Sequence, residues 1–239
     1  NQIKLSGTIG IGHVRWATHG KPSTINAHPH SSDNVSVVHN GIIENSTILK
    51  KILEKKGYKF KSQTDTEVIV HLVTDYLKKN NLKDTIIKVL KKLHGSFALG
   101  IIFKDQPDLI IGARRGSPLA VGYGPDEHYL GSDSYALKSM TNKISYLNDG
   151  EFCILKKDQV EFFDSDGIKT NKEVLNLSKD EQNYEKGQYK YFMAKEIDEQ
   201  PVTIKNCINE YIDKHNNEIN IYNFPWNISD ISSVVLIGC

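Results

Sequence analysis

The hydrophobic period of the sequence changes at Ser96, and this change restricts the fold more than any other feature. Before Ser96, three segments repeat apolar residues at helical spacing, namely Ser46–Lys56, a segment that begins near Thr64, and Thr85–Leu93. After Ser96, short runs of β-type residues alternate with turn clusters, at 97–103, 109–112, 119–123, 128–130, 151–155 and 159–163. Short strands joined by close turns indicate an antiparallel sheet, which the earlier helices would cover. The sequence therefore predicts an α+β layered domain.

Local signals set the predicted boundaries in the first half of the chain. Thr8–Val14 and Val35–His39 lack a helical period and are predicted to be strands. Asn40–Gly41, directly after the second of these, is a strong hairpin-turn signal. Gly57 is predicted to stop a helix, and the Thr-x-x-Glu pattern at residues 64–67 is that of a capping box, which would open the next helix.

The last third of the chain predicts a change of domain. Residues 169–188 are polar with few apolar anchors, and we interpret them as a linker. Two helices are predicted at 191–199 and 203–212, with Pro201 as the break between them. The apolar run at 234–237 would be the buried first strand of another domain. The expected domains are a first domain at 1–167, a linker with helices at 168–230, and the start of a further domain at 231–239.

Composition and charge exclude several function classes. The 239 residues are 38% hydrophobic and 25% charged with a formal net charge of +1, so no overall field draws the chain to nucleic acid or to a membrane surface. The apolar runs are too short to span a bilayer. The widely separated Cys153, Cys207 and Cys239 form no metal-binding spacing and favour a reducing compartment such as the cytoplasm. We expect Cys153 and Cys207 to be small buried hydrophobes.

Residues 10–20 carry a high density of polar and aromatic side chains at the end of the first predicted strand. Arg15, Trp16, Thr18 and His19 follow one another closely before a glycine breaks the backbone. A guanidinium can hold a carboxylate with two parallel hydrogen bonds, an indole supplies an apolar wall, and a hydroxyl and an imidazole fix orientation. Together these residue types favour a binding site for a small zwitterion.

Two further segments permit both a structural and a functional interpretation. At Asn40–Gly41, a side-chain amide and an unhindered backbone N–H can donate to one oxygen, as an oxyanion hole requires, but the dipeptide is also that of a plain hairpin turn. Asp65, near a helix N-terminus, complements the helix dipole, or it receives the ammonium of an amino acid whose carboxylate Arg15 holds. The residues alone leave these alternatives open.

Three other patterns suggest bound groups less strongly. Histidines at positions 13, 19, 28, 30 and 39 lack a Cys or carboxylate at ligand spacing, so we expect no metal. The segment 114–118 could form a phosphate nest but is predicted to be a surface turn. The spacing Gly7-x-x-Gly10-x-Gly12 is not a dinucleotide motif, because no helix follows it.

Taken together, the motifs resemble those of one family. The runs that carry the resemblance are GHVRWATHG (12–20), NAHPH (26–30), VHNGIIEN (38–45), TDTEVI (64–69), ARRGSPL (113–119), SD (132–133), KEIDEQP (195–201) and LIGC (236–239). They are similar to motifs of the glutaminase domain of glutamine–fructose-6-phosphate aminotransferases, and the last run resembles the opening strand of that family's sugar-phosphate isomerase domain. The resemblance covers nearly the whole chain, and its motifs recur in the right order.

The resemblance implies a fold and a reaction. The fold is an αββα four-layer sandwich of the N-terminal-nucleophile type, here lacking its first strands, followed by a linker and the start of the isomerase domain. The family hydrolyses L-glutamine to glutamate and ammonia with an N-terminal Cys. The ammonia converts fructose 6-phosphate to glucosamine 6-phosphate in the second domain, as a step of amino-sugar biosynthesis. The implied partners are these two substrates, with no cofactor, and the full-length protein is expected to be a cytoplasmic homodimer.

The resemblance also assigns the ligand contacts residue by residue. By matching position, Arg15, Thr18 and His19 would bind the carboxylate end of glutamine. Asp65 would receive its ammonium. The zwitterion site expected from the residue types is thereby specified as a glutamine site.

The catalytic part of the resemblance is incomplete. Asn40 and Gly41 would form the oxyanion hole, residues 15–23 would be a lid over glutamine, and Trp16 would gate the path of ammonia. The family nucleophile is the first residue of the mature protein, whereas residue 1 here is Asn. We therefore expect a glutaminase domain that is truncated at both ends and inactive alone.

Two alternatives remain. One is the glutaminase domain of another amidotransferase, such as an amidophosphoribosyltransferase, against which the isomerase-like sequence after Pro201 argues. The other is a catalytically dead amino-acid sensor that keeps the pocket and lacks the nucleophile, an interpretation that rests on Asn1. The domain encoded downstream decides the first alternative, and a Met-Cys-Gly start upstream decides the second.

Overall fold

A computed structural model of the chain describes residues 7–16, 19–177, 186–213, 218–219 and 227–235. The chain divides into two compact units, residues 1–179 and 180–239. Two antiparallel sheets and the candidate site belong to the first unit.

The strands of the first unit form a seven-stranded and a four-stranded sheet. They are β1 His30–Ser31, β2 Val35–Ile43, β3 Gly95–Phe103, β4 Gln106–Arg115, β5 Ala120–Tyr123, β6 His128–Gly131, β7 Lys143–Tyr146, β8 Phe152–Lys156, β9 Val160–Phe163, β10 Lys169–Thr170 and β11 Leu175–Asn176. The larger sheet has the order β1-β2-β3-β4-β8-β9-β10, and the smaller has the order β11-β7-β5-β6. β2 and β3 pair along their whole length, from Val35 opposite Phe103 to Ile43 opposite Gly95.

The helices of the first unit are α1 Ser46–Lys55, α2 Thr66–Leu77, α3 Leu82–Lys92 and α4 Ser134–Leu137. After α1 the chain turns at Gly57, which has a φ of +90° and fits the predicted stop. Asn81 caps α3 by accepting the backbone N–H of Asp84 at 2.8 Å. The apolar face expected on α2 is confirmed by the burial of Val68, Ile69, Leu72 and Val73. On α1 the spacing predicts that Ile48, Leu49, Ile52 and Leu53 are buried, but only Leu49 and Leu53 are, while Ile48 and Ile52 are 64% and 48% exposed.

The core lies in three successive contact layers. Residues of α1, α2 and α3, such as Leu53 and Ile69, pack against the β2–β4 face of the larger sheet. The opposite face of that sheet, including Cys153 and Phe162, packs on Val121 of the smaller sheet. Leu137 of α4 packs on Ala120 and Ile144 on the far side of the smaller sheet. The prediction of an α+β layered domain is confirmed.

The strands after Ser96 follow the predicted runs, with β7 as an addition. The six runs predicted after Ser96 are all strands, with ends that shift by a few residues. β7 was not predicted, because Lys143-Ile144-Ser145-Tyr146 is four residues long and its two buried positions are split between apolar and polar. It is a strand because β5 and β11 flank it on both sides.

Three local predictions in the first half are wrong. Residues 8–14 form no strand in the described structure, and Val14 is 99% exposed, so β-branched composition alone did not produce pairing. Asn40–Gly41 is not a hairpin turn but continues β2, opposite Ala98 and Phe97, because the long pairing with β3 overrides the local signal. The capping box is absent, since α2 begins at Thr66, two residues after Thr64, with no side-chain cap.

The second unit contains α5 Phe192–Tyr211, a pair of two-residue strands, β12 Ile212–Asp213 and β13 Glu218–Ile219, and a short 3-10 helix, Ile228–Asp230. The predicted helix break at Pro201 is wrong, because α5 runs through it. The hydroxyl of Thr203 donates to the carbonyls of Glu199 and Gln200 at 3.3 and 3.0 Å, in the turn that contains Pro201.

The chain end and one cysteine also differ from expectation. Val234 and Val235 are 72% and 80% exposed and lie outside any strand, while residues 236–239, including Cys239, lie outside the described residues. Cys153 is fully buried as predicted, but Cys207 is exposed on α5. The prediction for Cys207 is wrong because no residue of α5 is buried in the described structure, so an apolar side chain on this helix stays exposed.

Candidate active site

A cavity of about 330 Å³ opens between the loop before β1, strand β2 and the start of α2. Six of the seven predicted site residues line it: Arg15, Trp16, His19, Asn40, Gly41 and Asp65. The seventh, Thr18, lies outside the described residues. The cavity also contains residues that sequence reasoning did not assign to a site: His13, His28, His39, Ile42, Thr64, Thr66, Ser117 and Pro118.

Gly41 occupies a position in β2 that only glycine fits. Its φ is +124°, and a Cβ built there would lie 2.1 Å from the carbonyl oxygen of Ser96. The absence of a side chain lets β2 and β3 approach closely at this point while the cavity stays open. The exposed side chain of Asn40 lies next to it on the same cavity wall.

Asp65 is buried and reaches across to β2 instead of capping its own helix. The residue is only 7% exposed, and its Oδ2 accepts a hydrogen bond from the backbone N–H of Ile43 at 2.7 Å. A carboxylate can accept further hydrogen bonds beyond this one. The group is thus a fixed negative charge on the cavity wall.

Arg15 is held by its own loop. Its guanidinium donates to the carbonyl oxygens of Lys21 at 3.3 Å, Gly20 at 2.9 Å and His19. Arginine has five N–H groups, so these three bonds leave two for a ligand. Trp16 lies beside it with 89% of its surface exposed, at the rim of the cavity.

The segment before α2 is fixed by a buried carboxylate. Glu67 accepts the backbone N–H groups of Lys61 and Ser62 at 2.8 and 2.7 Å and the Ser62 hydroxyl at 2.6 Å. Burial by itself would raise the pKa of Glu67, but the Ser62 hydroxyl and the two N–H groups outweigh it and lower the pKa. This carboxylate was expected in a capping box and instead holds the loop that leads to Asp65.

A group of histidines forms the inner wall. His28 contacts His13 through their Nδ1 atoms at 3.1 Å, and His28 Nε2 lies 2.9 Å from Thr66 Oγ1. His39 Nδ1 lies 3.0 Å from the same oxygen. Burial lowers the pKa of His28 to about 3 and that of His39 to about 4, so both rings are neutral near pH 7.

Within the described residues, no three His, Cys, Asp or Glu side chains are arranged to hold a metal ion. The same part of the chain contains no helix that is long and apolar enough to cross a bilayer.

Sequence reasoning missed the histidine wall and the Ser117–Pro118 edge of the cavity. The sequence suggests a role for histidines 28 and 39 only as possible metal ligands, and it predicts Ser117–Pro118 to be part of a surface turn. The available signal was that these residues belong to runs that carry the family resemblance. Their contacts join segments far apart in sequence, which a local pattern does not reveal.

Comparison with known proteins supplies the family. Residues 15–139 match the model of the glutamine amidotransferase domain. The chain is 45% identical over 98% of its length to a glutamine–fructose-6-phosphate aminotransferase (isomerizing) of Bradyrhizobium diazoefficiens, and 49% identical over 87% to one of Clostridium acetobutylicum. It spans 39% and 34% of the lengths of these curated relatives.

A solved structure supports the same assignment at the level of the fold. The glutamine phosphoribosylpyrophosphate amidotransferase of B. subtilis superposes with a TM-score of 0.52 and 30% identity, over 64% of this chain and 34% of that one. The matched segment of the family model, residues 15–139, contains all the cavity residues assigned from the sequence. The chain belongs to the family of glutamine amidotransferase domains.

Proposed function

We propose that this chain is the glutaminase part of a glutamine–fructose-6-phosphate aminotransferase. The parent protein hydrolyses L-glutamine to glutamate and ammonia and uses the ammonia to convert fructose 6-phosphate to glucosamine 6-phosphate. The observation that supports this most is the convergence of Arg15, Asp65 and Asn40–Gly41 on one cavity, because it offers opposite charges for the two ends of an amino acid beside donors for a carbonyl oxygen.

Each wall of the cavity has a part in the proposed reaction. Asp65 binds the ammonium of glutamine, and Arg15, with His19 and Thr18, binds the carboxylate. The side-chain amide then lies against Asn40 and the N–H of Gly41. These donors stabilise the oxyanion that forms when a nucleophile attacks the amide carbon. Trp16, at the rim, covers the bound substrate and gates the release of ammonia.

The nucleophile of this reaction is the thiol of an N-terminal Cys, whose own amine accepts the thiol proton. An α-amino group has a pKa of about 7.7–8.0, so it is a suitable base near neutral pH. Residue 1 of the chain is Asn, and Cys153 is buried between the two sheets, where burial raises the pKa of its thiol. We therefore propose that these 239 residues alone release no ammonia from glutamine.

The proposal includes the wider organisation of the protein. Residues 1–167 belong to the glutaminase domain, an αββα sandwich of the N-terminal-nucleophile type. Residues 168–230 are the linker with its helices, and residues 231–239 begin the isomerase domain. The full-length protein is a cytoplasmic homodimer.

The test compares the full-length gene product with the 239-residue chain. Ammonia and glucosamine 6-phosphate are measured with glutamine and fructose 6-phosphate. The full-length product should form both, and the chain alone should form neither. Asn40→Ala in the full-length product should lower kcat by about 100-fold, as expected for loss of one oxyanion donor. Absence of glutamine hydrolysis in the full-length product would overturn the proposal in favour of an amino-acid sensor.

An amidophosphoribosyltransferase is the second candidate, because the B. subtilis structure with that name shares 30% identity with this chain. The relatives named as fructose-6-phosphate aminotransferases share 45% identity over 98% of the chain, which favours the first proposal. Supplying phosphoribosylpyrophosphate in place of fructose 6-phosphate decides between them, since only the correct acceptor consumes the ammonia.

A further inference from the structure

Thr66 is the point where three segments of the cavity meet. Its hydroxyl lies 2.9 Å from Nε2 of His28, in the loop before β1, and 3.0 Å from Nδ1 of His39, in β2. Thr66 is itself the first residue of α2 and is 1% exposed. One buried hydroxyl therefore bridges two imidazoles from separate segments.

The chemistry of a hydroxyl sets the direction of these bonds. A hydroxyl has one proton to donate, so it donates to one ring and accepts from the other. Nε2 of His39 is buried and has no hydrogen-bond partner among the residues that the structure describes. If His39 carried its proton there, a buried N–H would be left unpaired, an arrangement that native proteins rarely contain. His39 therefore carries its proton on Nδ1 and donates it to Thr66.

The rest of the chain of hydrogen bonds follows from this assignment. Thr66, having accepted from His39, donates to Nε2 of His28. His28 is neutral and consequently carries its proton on Nδ1, which faces Nδ1 of His13 at 3.1 Å. The protons of these hydrogen bonds thus all point the same way, from His39 in β2 through Thr66 and His28 towards His13, which precedes Arg15.

This chain of hydrogen bonds holds the part of the β2 backbone that carries the proposed oxyanion hole. Thr66 holds His39, the residue before Asn40–Gly41, while its neighbour Asp65 holds the N–H of Ile43, two residues after that pair. Two adjacent residues, Asp65 directly before α2 and Thr66 at its start, therefore attach to β2 on both sides of Asn40–Gly41. Loss of the Thr66 hydroxyl leaves Asp65 as the remaining one of these two side-chain attachments, while β2 stays paired with β3.

We propose that Thr66 is a positioning residue for glutamine hydrolysis, whose hydroxyl sets the tautomer of His39 and through it the place of Asn40–Gly41 relative to Asp65. The inference rests on the proposed function, and it adds a buried residue that acts through His39 and is not one of the residues proposed to bind glutamine or to stabilise the oxyanion. Since Asp65 keeps its own bond to Ile43, the role concerns the transition state more than the binding of glutamine.

The experiment uses the full-length gene product with three substitutions. Thr66→Val removes the hydroxyl at nearly constant volume, and Thr66→Ser restores it. Thr85→Val is the matched control, because Thr85 is also a fully buried helical threonine and its hydroxyl has no hydrogen-bond partner among the described residues. For each protein, kcat and KM for glutamine, the thermal midpoint and the nitrogen-15 shifts of the histidine rings are measured.

Thr66→Val should lower kcat by about tenfold with KM changed by less than about threefold, as expected when an interaction made in the transition state is lost. Thr66→Ser should recover most of this loss. Thr85→Val should leave kcat at the wild-type value. The ring spectra should show His39 protonated on Nδ1 in the wild type, with a shift of that signal only in the Thr66→Val protein.

Failures of the two proposals are distinguishable. An inactive wild type would overturn the proposed function, whereas an active wild type with an unchanged kcat in Thr66→Val would overturn the positioning role alone. His39 protonated on Nε2 would overturn the tautomer assignment, whatever the activity. A loss of kcat that Thr66→Ser does not recover, or that Thr85→Val shares, would reduce Thr66 to a packing residue.

Discussion

Asp65 accepts the backbone N–H of Ile43 at 2.7 Å, which ties the start of α2 to β2 immediately beyond Asn40–Gly41. The bond connects two residues that are 22 positions apart, and it leaves the remaining acceptor sites of a buried carboxylate on the cavity wall. The same group therefore has a structural part, in holding β2, and a proposed part in binding the ammonium of glutamine.

Asp65→Asn separates these two parts. The amide oxygen of Asn can still accept from Ile43, but the negative charge is lost, so KM for glutamine should rise by about tenfold or more while the fold is kept. Asp75→Asn is the control, because Asp75 lies on the same helix and pairs with the exposed Lys56 away from the cavity. Steady-state kinetics of the full-length gene product provide the measurement, and equal KM values for the two variants would contradict the binding role.

Gly41→Ala should destabilise the protein far more than Gly57→Ala. Both glycines have positive φ, which costs a non-glycine residue about 1–2 kcal/mol. Only at Gly41 does an added Cβ meet a backbone atom, the carbonyl oxygen of Ser96, whereas nothing lies within 4 Å of the corresponding position at Gly57. We expect a loss of about 3 kcal/mol or more for Gly41→Ala in urea unfolding. Similar losses for both variants would show that the contact with Ser96 relaxes freely.

Stability should fall as the pH is lowered from about 7.5 to about 5. Burial lowers the pKa of His39 to about 4, while the unfolded chain keeps its ordinary value of 6.5, so the unfolded state binds more protons over this range. The His39 ring alone accounts for a loss on the order of 1–2 kcal/mol. His39→Asn keeps a donor toward Thr66 and cannot be protonated. Its free energy of unfolding, measured in urea at both pH values, should therefore depend less on pH, and a slope equal to that of the wild type would contradict the assignment.

The ion pair of Lys172 and Glu151 joins the segment that connects β10 to β11 to the residue before β8, and its contribution to stability can be tested. Its atoms are 2.5 Å apart and the side chains are only 9% and 7% exposed. Lys172→Met removes the cation beside a buried carboxylate, which keeps its bond from the backbone N–H of Asn148, and should cost about 3 kcal/mol. Lys91→Met breaks the exposed pair with Asp166 and should cost less than about 1 kcal/mol. Urea unfolding of both variants checks the difference, which would vanish if water reaches Glu151.

The sequence predicted the regular elements well where the deciding contacts are local. The apolar face of α2 and the stop at Gly57 depend on spacing of a few residues, and both agree with the structure, whereas Ile48 and Ile52 of the face expected on α1 are exposed. The α+β class follows from the same patterns. The predictions fail where residues distant in sequence determine the local conformation. Pairing with β3 keeps Asn40–Gly41 extended despite its turn signal, and Glu67 accepts hydrogen bonds from the preceding loop instead of forming a capping box.

The candidate site shows the same division. The residues at 15, 16, 19, 40, 41 and 65 were grouped from the sequence, and they line one cavity. Thr66 was missed, because its importance comes from bonds to His28 and His39, which are 38 and 27 positions away. No periodicity or spacing rule encodes such a bond, so only the folded chain reveals the second set of residues.

The placement of Asp65 and Thr66 at the start of α2, one just before the helix and one as its first residue, has a consequence for how the protein tolerates substitutions. The same helix buries Val68, Ile69 and Val73 in the main core, so any repacking beneath it moves both fastenings of β2 at once. A conservative substitution such as Ile69→Val, remote from the glutamine site, should therefore lower kcat for glutamine at a degree of repacking that still leaves the free energy of unfolding nearly unchanged. We therefore expect core packing beneath α2 to affect the proposed reaction through Asp65 and Thr66.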